Sequence, residues 1–213
     1  MLANAGQVQH FVYILDMVGI IACAISGVLV ASRLRMDPFG MLVLAGVTAI
    51  GGGTLRDMFM GATPVFWIRD NNYIYVILLT ATLVVLWLHN KGTMRRFSTY
   101  LLPLVDALGL AAFTIIGTEK ALSFGFSPLI AIVMGCVTGV GGGMIRDVLG
   151  GQIPFVLQKE IYATTSILGG VVYVVCDAMK ANLLFSMLLA MAATLILRLS
   201  AIYWKLKLPV FQK

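Results

Sequence analysis

The stretches GGGTLRD (51–57) and GGGMIRD (141–147) decide how this chain reads. They are 90 residues apart, and shifting the whole chain by 90 aligns far more than these heptapeptides. Asp16 then meets Asp106, Gly19 meets Gly109, Gly27 meets Gly117, Pro38 meets Pro128, Thr48 meets Thr138, Gly61 meets Gly151 and Pro64 meets Pro154. Over 11–90 against 101–180 there are 21 identities in 80 ungapped pairs, 11 of them on Gly, Pro, Arg and Asp, which shared apolar composition does not explain. The chain is an internal duplication.

Composition sets the solvent. Of 213 residues, 60% are hydrophobic and 11% charged, against roughly 45–50% and about 25% in soluble globular chains. Mean hydropathy is +0.98. A globule of this size cannot hide so much apolar surface, so the bilayer is the expected environment. A disordered chain, a nucleic-acid-binding domain and a secreted disulfide scaffold are excluded. Cys23, Cys136 and Cys176 are odd in number and lack metal spacing, so they read as packing residues.

Seven apolar stretches approach the ~20 residues needed to cross ~30 Å of hydrocarbon: 10–31, 38–60, 72–90, 100–118, 128–149, 160–176 and 182–203. Backbone groups in lipid must bond internally, and no polar–apolar alternation appears, so the expectation is helices rather than a barrel. The fold class is all-α, with seven transmembrane helices. The first three-helix repeat occupies 1–99, the second 100–181, and the seventh helix with its tail 182–213. Three spans per copy invert the second copy relative to the first, which predicts a pseudo-two-fold axis in the membrane plane.

No Lys or Arg precedes Arg33, so the first stretch reads as a retained span rather than a signal peptide. One side of the predicted topology carries Arg69, Lys120 and Lys180. The other carries Arg33, Arg35, Lys91, Arg95, Arg96, Lys159, Lys205, Lys207 and Lys213. That bias predicts an N-terminus outside and a C-terminus in the cytoplasm.

Three consecutive glycines are poor helix residues, each roughly 1 kcal/mol worse than Ala. Gly51–Gly53 and Gly141–Gly143 are therefore expected to bend or unwind their spans and to line a wet cavity, where freed carbonyls near Gly51 and Gly141 could contact a cation transiently. The other reading is close helix packing. Thr48 and Thr138 lie one turn earlier, with hydroxyls facing the same spot or bonding back to the preceding turn. Arg56, Asp57, Arg146 and Asp147 fall at or near membrane depth, where an ionised group must pair or face water. Neighbours in sequence point in different directions on a helix, so the expected charge partners are Asp16 for Arg56 and Asp106 for Arg146. Such pairs gate or set the field, or merely fix helix register. No phosphate loop, dinucleotide fingerprint, zinc signature or catalytic triad occurs, so no enzyme and no cofactor is expected.

Two inverted three-helix repeats, a seventh span and GGGxxRD in the second and fifth spans resemble the trimeric intracellular cation channel family, in its short prokaryotic branch. The resemblance covers nearly the whole chain. It implies a homotrimer in a bacterial or archaeal cell membrane, with a separate pore in each subunit. That pore is lined chiefly by the second and fifth helices and passes K⁺ and Na⁺. Carried onto this chain, the pore motifs are Gly51–Gly53 with Arg56 and Asp57, and Gly141–Gly143 with Arg146 and Asp147. Animal members carry Lys-Glu-Val after the first glycine run and a long basic tail. Here Thr54-Leu55-Arg56 stands in that place and the tail is short. The bacterial branch also holds proteins described as glycine transporters, so a small-amino-acid carrier is the alternative function.

Overall fold

The computed structural model describes residues 2–90, 94–158 and 161–204. Among these residues its regular elements are all helices: α1 (Leu2–Arg33), α2 (Pro38–Phe59), α3 (Phe66–Arg69), α4 (Asn72–Asn90), α5 (Met94–Ser123), α6 (Pro128–Leu149), α7 (Phe155–Gln158), α8 (Ala163–Ala178) and α9 (Leu183–Tyr203). The predicted bounds of the second, third and fifth spans agree with α2, α4 and α6 to within a residue. α1 and α5 run longer than predicted, and α5 carries Pro103 inside it. The sixth stretch starts at Ala163 rather than 160, and Glu160 lies outside the described residues, as do Lys91, Lys159, Lys205, Lys207 and Lys213.

Six of these helices are long and apolar enough to cross a membrane. The 16 residues of α8 cover about 24 Å at 1.5 Å per residue, short of the hydrocarbon thickness. The expected seventh full-length crossing is thus replaced by a shorter apolar helix. α3 and α7, four residues each, leave no signature in the sequence, because no apolar period exists over so few residues.

Local chemistry sets the helix ends. Pro38 and Pro128 occupy first turns, where a missing N–H costs no hydrogen bond. Asp37 Oδ1 accepts from Gly40 N at 2.6 Å, and Asn182 Oδ1 accepts from Leu184 N at 2.9 Å, so both side chains cap their helices. After α2 and α6 the chain turns on Gly61 (φ 65°) and Gly151 (φ 64°), a left-handed conformation that favours glycine. The same bond closes each turn: Ala62 N to Asp57 O and Gln152 N to Asp147 O, both 2.8 Å.

α1 and α5 form the middle of the bundle. The most apolar windows of α5 and α1 are 78% and 67% buried, against 22% for α4 and 28% for α9. α2 packs on α1 and on α6, α6 on α5 and α8, and α8 on α9. The duplicated GGGxxRD motifs lie on the α2–α6 pair.

Candidate functional site

The glycine triplets form no break. Both helices stay helical through 51–53 and 141–143, so the expected unwinding does not occur. The reason is packing. A Cβ on Gly52 would collide with the carbonyl oxygen of Thr138, and a Cβ on Gly142 with that of Thr48. Gly51 packs on Ile145 and Gly141 on Gly52 Cα and Leu55. The helices keep their own hydrogen bonds, and the missing side chains let two backbones touch. Thr48 Oγ1 donates to Leu44 O and Thr138 Oγ1 to Met134 O, both at 2.6 Å. Of the two readings open for these hydroxyls, the structure shows the bond to the preceding turn.

The Arg-Asp pairs occupy the last turns of α2 and α6 and are buried: Arg56 3%, Asp57 1%, Arg146 1% and Asp147 1% exposed. Each arginine binds the aspartate next to it, which corrects the expectation that sequence neighbours do not pair. Arg56 Nε donates to Asp57 Oδ1 and Arg146 Nε to Asp147 Oδ1, both at 2.8 Å. A guanidinium on a long flexible stem can curl back where a short side chain cannot. The second carboxylate oxygen caps the short helix that follows: Asp57 Oδ2 accepts from Phe66 N at 3.0 Å, and Asp147 Oδ2 from Phe155 N at 2.9 Å. The arginines also lie over rings, Arg56 5.5 Å from the Phe66 centroid and Arg146 5.2 Å from that of Phe155. These contacts satisfy the charge locally, as burial in lipid requires.

Beyond this shared core the two ends differ. Arg146 Nη1 reaches Asp106 Oδ1 at 2.9 Å, as expected, and also donates to Ser26 Oγ. The pairing expected of Asp16 with Arg56 does not form. Asp16 instead accepts from Tyr73 Oη at 2.5 Å, and the further charge beside Asp57 is Lys120, whose Nζ lies 2.8 Å from Oδ1. By sequence Tyr73 reads as an interfacial aromatic and Lys120 as a loop cation. Neither position signals its partner, which lies 57 or 63 residues away.

A cavity of about 330 Å³ opens onto this first site, lined by Tyr13, Asp57, Phe66, Asp70, Tyr73 and Lys120 among others. Tyr13 Oη donates to Asp70 Oδ2 at 3.0 Å and accepts from Asn72 at 3.1 Å. The cavity lining carries both signs of charge. Among the described residues no cluster of three His, Cys, Asp or Glu could hold a metal ion. The three cysteines are free.

Sequence reasoning misses one further charge. Arg198 on α9 is 3% exposed. Its Nη1 donates to Ile161 O at 2.9 Å and its guanidinium carbon lies 4.4 Å from the Tyr162 ring centroid. The signal for it is a lone cation inside an otherwise apolar stretch, 182–203.

The family described as Glycine transporter matches this chain twice, over residues 13–89 and 103–178, so its unit is the repeat. A UPF0126 membrane protein of Vibrio cholerae serotype O1 is 52% identical over 93% of this chain and 82% of its own. The UPF0126 inner membrane protein YadS of Escherichia coli K12 is 49% identical over 94% and 96%. Among solved structures, the TRIC trimeric intracellular cation channel orthologue from Rhodobacter sphaeroides superposes with TM-score 0.85 at 38% identity, covering 92% of this chain and 99% of that one. A prokaryotic TRIC channel in 0.5 M KCl gives 0.86 at 30% identity, covering 94% and 100%. These structures are of channels rather than enzymes.

Proposed function

The chain belongs to the family described as Glycine transporter and to that of the TRIC structures, and on that premise we propose that it is a cation channel, assembled as a homotrimer with one path for K⁺ and Na⁺ in each subunit. The observation that carries this reading is the α2–α6 pair. A buried Arg-Asp site ends each helix, and backbone contact at Gly52 and Gly142 lies between them. Ionised groups inside a bilayer are expensive and point to function, ion paths among the uses they serve. The two copies are inverted in the membrane, so the Arg56 site faces outward and the Arg146 site faces the cytoplasm. The cavity beside Asp57 and Lys120 is the outer mouth.

The glycine crossing is the constriction, in its closed form. No ion passes a contact in which one helix's carbonyl touches the other's Cα, so conduction requires α2 and α6 to separate there. Separation exposes the carbonyls of Thr48 and Thr138, which face the seam and can replace part of an ion's hydration shell. Arg56 and Arg146 do not bind the ion. A cation beside them is repelled unless Asp57 or Asp147 neutralises the guanidinium, so they set the field and the gate.

A second reading has its own support. A carrier for glycine fits the description of the matching family, and the outer cavity offers Lys120 and Arg69 to a carboxylate and Asp70 to an ammonium group. Planar-bilayer recording of the purified protein under a K⁺ gradient decides between the two. Unitary currents reversing near the K⁺ equilibrium potential are expected. Saturable glycine uptake into vesicles without unitary current overturns the channel.

A further inference from the structure

Arg198 is an intramembrane cation that the α2–α6 path does not use. It lies on α9, outside both matched segments, and is 3% exposed. Among the described residues it makes no ion pair within salt-bridge distance, and its Nε is buried with no hydrogen-bond partner. A lone buried charge in lipid is costly to retain. What it touches is specific. Nη1 holds the carbonyl of Ile161 at 2.9 Å, the last residue before Tyr162, and the guanidinium stacks on the Tyr162 ring at 4.4 Å. Both the backbone and the ring of this one tyrosine position are thereby fixed from α9.

Tyr162 leads back to the Arg146 site. Its hydroxyl lies beside Asp106, the carboxylate that Arg146 Nη1 contacts at 2.9 Å. Beside Gly143, Tyr162 Oη, Arg146 Nη2 and Asp106 Oδ1 converge: a Cβ added there would lie 3.3, 3.6 and 3.6 Å from them. The other end of the molecule has no such relay among the described residues. There Tyr73 Oη donates to Asp16 at 2.5 Å, but the further cation, Lys120, contacts Asp57 directly.

We propose that Arg198 is a positioning residue for the cytoplasmic end of the path: stacked on Tyr162, it fixes the hydroxyl that orients Asp106 and so sets where Arg146 sits. The seventh helix, which the duplication does not need, thereby bears on one mouth only. A planar guanidinium suits this task, since it stacks and donates at once. A lysine supplies the charge without the plane.

The test uses the full-length protein with 3-fluorotyrosine at position 162, and the variants Arg198→Met, Arg198→Lys and Tyr162→Phe. In detergent, the ¹⁹F resonance reports the surroundings of the ring and its hydroxyl whether or not the protein conducts. It is expected to shift in both Arg198 variants. An unmoved resonance in Arg198→Met overturns the proposal. The second arm is unitary K⁺ current. Arg198→Met and Tyr162→Phe are each expected to change open probability by about 5-fold, a usual size for an indirect coupling, and the double variant no more than the larger single. Multiplying effects, full rescue by Arg198→Lys, or a change in thermal stability alone overturns it. This arm rests on the channel reading. Wild-type protein without current refutes that reading while leaving the resonance to decide whether Arg198 holds Tyr162.

Discussion

The carbonyl oxygen of Thr138 lies against Cα of Gly52, so close that no side-chain carbon fits between them. The reciprocal contact joins Thr48 to Gly142. This pair of contacts welds α2 to α6 and explains why both triplets tolerate glycine's poor helix propensity: what each helix loses in backbone entropy is offset by interhelical contact that no other residue permits.

Alanine at Gly52 or Gly142 must therefore push the helices apart. Overpacking of this kind costs about 1–3 kcal/mol or more. Gly46, on the same helix as Gly52, has nothing within 4 Å of an added Cβ, and alanine there gains up to about 1 kcal/mol of helix propensity. Melting of the detergent-solubilised protein should fall for Gly52→Ala and Gly142→Ala, and hold or rise for Gly46→Ala.

The third glycines of the two motifs part company. A Cβ on Gly53 would lie 2.6 Å from the Phe66 ring, whereas on Gly143 its nearest neighbour is Tyr162 Oη at 3.3 Å. Gly53→Ser is expected to lower the melting temperature by displacing a ring. Gly143→Ser, whose hydroxyl meets polar atoms, is expected to leave it within a few degrees of wild type. Equal losses at both positions would contradict the contrast.

Asp57 joins Arg56, Lys120 and the first amide of α3. Asp57→Asn leaves two cations facing a neutral group, a loss of about 3–5 kcal/mol for a buried pair. Lys120→Met removes a side chain that is 26% exposed and whose partner keeps Arg56, so it should cost well under half as much. Denaturant or thermal unfolding of the two variants side by side checks the order.

The two first-helix aspartates are equivalent by the repeat but not in their contacts. Asp106→Asn weakens an ion pair with Arg146. Asp16→Asn keeps an acceptor for Tyr73 Oη, and among the described residues Asp16 forms no salt bridge. The Asp106 variant should lose more stability, by about 1–3 kcal/mol. Equal losses would mean that Asp16 and Arg56 are coupled in the membrane after all.

Much of the fold was legible because lipid leaves the chain few choices. Apolar runs of ~20 residues can only be helices, so 38–60, 72–90 and 128–149 emerged with nearly their final bounds. Gly and Pro at a fixed offset exposed the duplication, and the charge at Arg146 found its expected partner Asp106. For the glycines two alternatives were legible, an unwound wet stretch or close packing, and the structure holds both helices unbroken and in close contact. A triplet that weakens an isolated helix also permits the closest approach of a neighbour, and sequence holds no term for the neighbour.

By itself the sequence determined the membrane environment, the long apolar helices and the duplicated motifs. Only the tertiary structure decided which charges meet. Lys120 rather than Asp16 stands beside the Arg56–Asp57 pair, and Arg198 lies over the Tyr162 ring, because partners are set by how helices from distant parts of the chain pack, over distances of a few ångströms. Periodicity along one strand of sequence fixes which face a residue occupies; it carries no information about what the opposing face presents.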